Sequence, residues 1–276
     1  MSTRKSLRER LRTVKVASYR VVRSRSPCFC WSGPPALADF IQSFCQNKPV
    51  SVFEMATPDN KPQVNILGSQ GLLLDVTAPA FSEDVQRRVL AIADEAVKQP
   101  GVLEAVPGMN NLLIVYAPGL ISAAAMTQWL LALWENVCIE KKAGREIEVP
   151  VIYGGTQGED LPELAERAQL DIETFIRLHS EAIYQVAAIG GMPGFPYLSG
   201  LDPRLATPRR SIPKMRLDVG DVIIGGQQAG IMPIPAPSGW HVIGHTDLKL
   251  FDAHLASPSL LQAGDRIRFS IAGIES

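Results

Sequence analysis

Residues 183–210, IYQVAAIGGMPGFPYLSGLDPRLATPRR, decide how the chain is to be read, because the texture of the sequence changes within them. IYQVAAIG has the apolar character of a short buried strand. From Gly190 onward the stretch packs four prolines, four glycines and three arginines around two aromatics. Helices and central strands both reject that much proline and glycine, so residues 190–210 are expected as a long, rigid, irregular loop. Loops of that length are uncommon unless they carry function.

Downstream of this loop no helix of any length is expected. LDVGDVIIGG (217–226), GIMPI (230–234), GWHVIGHT (239–246), LKLFD (248–252) and DRIRFSI (265–271) are short strands separated by Gly, Pro and Asp turns. That spacing is the signature of a barrel or sandwich.

Upstream the periodicities are mixed. VNIL (64–67) and LLLDV (72–76) read as strands split by the turn GSQG, and residues 83–98 place Val85, Val89, Ile92 and Ala96 on one helical face behind a Ser82 cap. GVLEAV (101–106) and NLLIVYA (111–117) follow as two strands, then an amphipathic helix from Ser122 to about Val137, then EIEVPVIY (146–153). The order is read as β-α-β-β-α-β, the ferredoxin-like pattern. Two short helices come next, with Asp160 expected to cap DLPELAERA and Asp171 to cap DIETFIRLHSEA. The fold class is therefore α+β. Residues 1–60 are a basic extension, 61–145 a small ferredoxin-like α/β domain, and 146–276 a β-barrel domain with two short leading helices.

Composition narrows the functional classes. At 276 residues and 46% hydrophobic the chain buries a sizeable core and divides into two domains. Its longest apolar candidate, MTQWLLALW, contains Gln128 and ends at Glu135, so no membrane partner is expected. The net charge of -1 conceals an asymmetry, with residues 1–54 holding 10 Lys/Arg against 3 Asp/Glu and the rest 17 against 25. The basic part admits several readings: a nucleic-acid arm, an Arg-rich transit peptide, a disordered tail, or an extension upstream of a natural start at Met55. A nucleic-acid partner is not expected, because the acidic remainder repels phosphates. Cys28, Cys30, Cys45 and Cys138 lack metal or redox spacing and are read as unpaired thiols in a reducing cytoplasm.

The candidate chemistry lies in the second domain. Arg204, Arg209 and Arg210 sit on a proline-stiffened loop, where guanidinium forks either bind carboxylate or phosphate oxygens or pair with Asp202 and Asp218. GGQQAG (225–230) lacks the Lys-Ser/Thr of a mononucleotide P-loop and is followed by IMPIP rather than a helix. It is either a turn approached by a ligand or a barrel corner that needs glycine. His241 and His245 are read on one face of a strand without a third ligand, so no metal is assigned. No Ser-His-Asp order or G-x-S-x-G elbow is present.

PGFPYLSGLDPRLATPRR (193–210), GGQQAGIMP (225–233), APSGWHVIGHT (236–246), LFD (250–252) and GDRIRF (264–269) resemble, in order and nearly without gaps, the 5-oxoprolinase B subunit family. That family includes allophanate hydrolase subunit 1 and a sporulation-kinase inhibitor, and it is related to part of the urea carboxylase carboxyltransferase region. The resemblance covers about residues 62–272. It implies a ferredoxin-like domain followed by a cyclophilin-like barrel. It also implies a homologous C subunit and a lactam-utilisation type A subunit as partners in ATP-dependent opening of 5-oxoproline to glutamate, with ATP shared between B and C, no biotin, and no activity in the chain alone. Two other roles lie within the same resemblance: a regulatory binding protein, or the equivalent subunit of an allophanate hydrolase-type complex.

Carried over residue by residue, the resemblance places Pro193, Gly194, Phe195, Pro196 and Tyr197 along one wall of a ligand pocket. Arg204, Arg209 and Arg210 supply cationic contacts, Gly226, Gln228, Gly230 and Ile231 form a second edge, and Gly239, Trp240, Gly244, His245 and Thr246 close the site. The chain departs from the family pattern at Gly191, where Phe is usual, at Ala229 and Met232, where Thr and Tyr are usual, and at His245, where Arg is usual. These changes remove polar handles from the pocket. No catalytic residue is assigned.

Overall fold

The computed structural model describes residues 61–76, 81–139 and 144–275. The basic extension, with Cys28, Cys30 and Cys45, lies outside the described residues.

Alternation builds the first layer. Strands β1 (Gln63–Leu67), β2 (Gly71–Asp75), β3 (Val102–Pro107) and β4 (Asn111–Tyr116) form an antiparallel sheet in the order β1-β2-β4-β3. Every second residue of the two central strands, namely Leu72, Leu74, Leu112, Ile114 and Tyr116, points to one buried face. Helices α1 (Glu83–Ala96) and α2 (Ala123–Asn136) cover that face. In α1 the stripe Val85, Val89, Ile92 and Ala96 is buried, and the Ser82 side chain accepts from the Val85 N–H as its cap. In α2 the buried positions Met126, Leu130 and Trp134 recur every four residues behind the Ser122 cap.

The second layer is a closed barrel. Strands β5 (Glu146–Gly154), β6 (Ile183–Ile189), β7 (Pro196–Ser199), β9 (Asp221–Gly225), β10 (Gln228–Ile231), β12 (His241–His245) and β13 (Arg266–Glu275) close in the order β10-β7-β6-β13-β5-β12-β9. Only the β5–β13 pair is parallel. Helices α3 (Leu161–Arg167) and α4 (Ile172–Glu181) add Leu161, Leu164, Phe175 and Ile176 to the barrel's core. A separate ribbon pairs β8 (Lys214–Leu217) with β11 (Ala236–Ser238).

The α+β class with a small α/β part followed by a barrel is as expected, but four local readings change. EIEVPVIY does not complete the first sheet. It is β5 of the barrel, and the first layer is instead ββαββα, with VNIL, in β1, as an edge strand of its four. The Pro/Gly-rich segment is not irregular throughout: it contains β7, flanked by β6 and β10. Pro196 is tolerated because it is the strand's first residue, and Gly200 at φ 105° turns the chain out of it. Asp160 stands before α3 without making a cap bond, whereas Asp171 does cap α4 through the Thr174 N–H. A bulge in β12 between Val242 and Gly244 breaks the alternation between His241 and His245, so the two do not share a face.

Candidate functional site

The inner and outer faces of β7, β9, β10 and β12 have different tasks. Leu198, Val222, Ile224, Ala229, Ile231 and Ile243 fill the barrel core. Ile223, Val242 and Tyr197 belong to a second cluster on the outer wall, with Phe195, Leu217, Met232 and Trp240. Glycines make room for its rings. A Cβ on Gly225 would lie 2.5 Å from the Trp240 indole, and one on Gly230 would lie 2.8 Å from Phe195 Cζ. The rings meet edge to face, Phe195–Tyr197 at 4.9 Å, Phe195–Trp240 at 5.7 Å and Tyr197–Trp240 at 6.3 Å between centroids. The GGQQAG stretch is thus a hairpin between β9 and β10, with Gly226 at φ 65° in the first loop position.

The arginine-bearing loop is fastened to this wall at several points. Thr207 and Gly226 exchange both backbone hydrogen bonds, and the Arg210 N–H donates to the Gly239 carbonyl at 2.7 Å. His241 Nε2 lies 3.0 Å from the Pro208 carbonyl, and since a carbonyl only accepts, Nε2 is the donor.

The three arginines have three different surroundings. Arg204 forms a fork on Asp202, Nε to Oδ1 at 2.9 Å and one terminal nitrogen to Oδ2 at 2.6 Å. These bonds and that from the Arg204 N–H hold the Asp202 carboxyl down at about 2. Arg210 pairs with the buried carboxylate of Asp160, which also accepts from Lys214 at 3.2 Å and from the Val242 N–H at 2.8 Å. Burial alone would raise the Asp160 carboxyl. The hydrogen bonds from Arg210 and Val242 and the charge of Lys214 overcome it, and the net direction is downward. Arg209 is exposed, its guanidinium carbon 5.4 Å from the Trp240 ring centroid, and among the described residues no carboxylate pairs with it.

Gly244, His245 and Thr246 lie at the other end of β12, about 13 Å along the strand from Trp240 at the usual rise per residue. There His245 Nδ1 lies 3.8 Å from Asp221 and Nε2 lies 3.5 Å from Asp247. Burial raises the Asp221 carboxyl, and the charge of Asp218 adds to it. The residues expected to form one pocket therefore occupy two places. Phe195, Tyr197, Gly226, Gln228, Gly230, Gly239, Trp240 and Arg209 gather at one end. His245 and Thr246 stand at the other, Pro193 is exposed, Gly194 backs on Phe251, Pro196 opens β7, and Ile231 faces the barrel core.

Sequence reasoning missed Asp160, Lys214 and Asp221, for which spacing supplies no signal. Among the described residues no group of three or more His, Cys, Asp or Glu side chains stands where it could hold a metal ion.

The carboxyltransferase domain, subdomain C and D, has a family model that matches residues 62–261. The chain is 44% identical over 197 residues to the 5-oxoprolinase B subunit of Haemophilus influenzae, covering 71% of this chain and 92% of that protein. It is 38% identical over 204 residues to the 5-oxoprolinase B subunit of Escherichia coli O157:H7, covering 74% and 93%. The crystal structure of TTHA0988 superposes with a TM-score of 0.65 at 37% identity, over 74% of this chain and 40% of that longer polypeptide. The chain belongs to the 5-oxoprolinase B subunit family, whose fold is the carboxyltransferase domain, subdomain C and D.

Proposed function

We propose that this protein is the B subunit of a cytoplasmic, ATP-dependent 5-oxoprolinase, a hydrolase complex in which it acts with C and A subunits to open 5-oxoproline to glutamate. The observation that carries the reading is identity of 33–44% to three proteins named as 5-oxoprolinase B subunits, across more than nine tenths of each. The outer wall of the barrel supports it chemically. Arg209 offers a cation over the Trp240 ring, and Gln228 stands across the hairpin from Gly225, on which Trp240 packs, an arrangement suited to a small ring that carries a carboxylate and an amide. In this reading ATP is shared between this chain and the C subunit, and the chain alone is expected to be inactive.

The test is ATP hydrolysis by the purified chain, alone and mixed with candidate A and C subunits, with and without 5-oxoproline. Lactam-dependent ADP release in the full mixture only is the expected result. Its absence from a stably assembled mixture, beside a working control complex, overturns the reading.

A further inference from the structure

Three arginines on one loop invite the same role, yet the structure separates them. Arg204 and Arg210 are each neutralised by a carboxylate of this chain, Asp202 and Asp160. Arg209 stands between the pinned residues Pro208 and Arg210, both fastened by hydrogen bonds to the start of β12. Its backbone is thereby fixed while its guanidinium faces solvent with no carboxylate partner among the described residues. Trp240 is itself locked, lying against Gly225 and edge to face with Phe195 and Tyr197. A guanidinium over an indole keeps its planar fork of donors free for a ligand, and stacking reduces the rotamer freedom lost when that ligand arrives.

We propose that Arg209, stacked on Trp240, is a preorganised oxyanion site that grips the carboxylate or phosphate of the protein's small-molecule ligand; the choice of ligand rests on the function proposed above. The same chemistry arises from two sources, the carboxylate of 5-oxoproline or a phosphate of ATP. Arg210 is a positioning residue: through Asp160 and Gly239 it sets where the Arg209 backbone lies.

The experiment is calorimetric titration of the full chain, alone and in the assembled complex, with 5-oxoproline, with 2-pyrrolidone as the same ring lacking the carboxylate, and with tripolyphosphate. Arg209→Met is compared with Arg216→Met, an exposed arginine elsewhere. Loss of one charge-assisted fork weakens its ligand roughly 10- to 100-fold. Weakened 5-oxoproline with unchanged 2-pyrrolidone, in Arg209→Met only, establishes the carboxylate as the ligand group. Weakened tripolyphosphate with unchanged 5-oxoproline establishes the phosphate. Equal affinity of wild type and Arg209→Met for both anions, or no binding of either anion by the wild type, overturns the site. Arg209-dependent binding in a complex that shows no lactam-dependent ATP hydrolysis removes the functional reading and leaves the anion site standing.

Discussion

Arg210 and Asp160, fifty residues apart in the chain, form an ion pair on the barrel wall in which the carboxylate is 6% exposed. Asp160 fastens three elements at once: the arginine loop through Arg210, the ribbon through Lys214 and β12 through the Val242 N–H. Removing one partner of such a pair costs more than the pair is worth, because the other charge stays buried.

Arg210→Ala is therefore expected to lower stability by about 3 kcal/mol, seen as a fall in melting temperature of roughly 6–12 °C. Arg204→Ala, whose guanidinium is more than half exposed, is expected to lower it far less. The sign with pH follows from the lowered Asp160 carboxyl. Its contribution is complete above the ordinary value of 3.8 and fades as pH falls through the lower folded value. Equal melting temperatures for the two variants would refute this division of roles.

His179 stays neutral to a far lower pH than a surface histidine. It is wholly buried, its Nδ1 lies 2.8 Å from Tyr153 Oη, its ring centroid lies 4.5 Å from that of Phe269, and Nε2 has no hydrogen-bond partner among the described residues. Burial pushes its pKa down from 6.5 to about 3. The unfolded chain binds that proton first, so stability is complete above pH 6.5 and declines by about 1.4 kcal/mol per pH unit as pH falls toward 3. His179→Gln is expected to be less stable at pH 7 but to show a shallower decline between about pH 6 and 4. Parallel curves for variant and wild type in chemical denaturation would show that another group controls this range.

Gln86 joins the two layers. It is 1% exposed on α1, donates to the Ala187 carbonyl of β6 at 2.7 Å and to the Gly108 carbonyl at 2.9 Å, and accepts from the Asn110 N–H at 2.6 Å. Gln86→Leu keeps the volume but strands those partners, and it is expected to cost about 2 kcal/mol. Faster hydrogen exchange at Asn110 is the accompanying signal, and unchanged protection there would speak against the network.

These residues also mark where the sequence stops being legible. The stripe Val85, Val89, Ile92 and Ala96 was readable because burial of one helical face imposes a period. Gln86, beside that stripe, gave no sign of being buried, since its partners lie 22 and 101 residues away. EIEVPVIY was recognisable as a strand, but alternation does not say which sheet a strand joins, and β13, its parallel partner, comes more than a hundred residues later. The arginines were visible as candidates. Which of them is free depends on Asp160 and Asp202, and only folded geometry reveals that.

The glycines of the hairpin give the last prediction, because two neighbours differ in what a methyl group would meet. At Gly225 a Cβ would lie 2.5–2.8 Å from three atoms of the Trp240 indole, whereas at Gly226 it would meet nothing within 4 Å. Gly225→Ala must displace Trp240 and is expected to cost about 1–3 kcal/mol through overpacking. Gly226→Ala keeps the packing but places alanine at φ 65°, a strain of about 1–2 kcal/mol. Similar losses of stability thus have different causes, and anion binding tells them apart. Because Arg209 stacks on Trp240, Gly225→Ala is expected to alter tryptophan fluorescence and weaken binding of the preferred oxyanion, while Gly226→Ala leaves both near wild type. If Gly225→Ala bound the anion as the wild type does, the position of Trp240 would have no part in holding Arg209 ready.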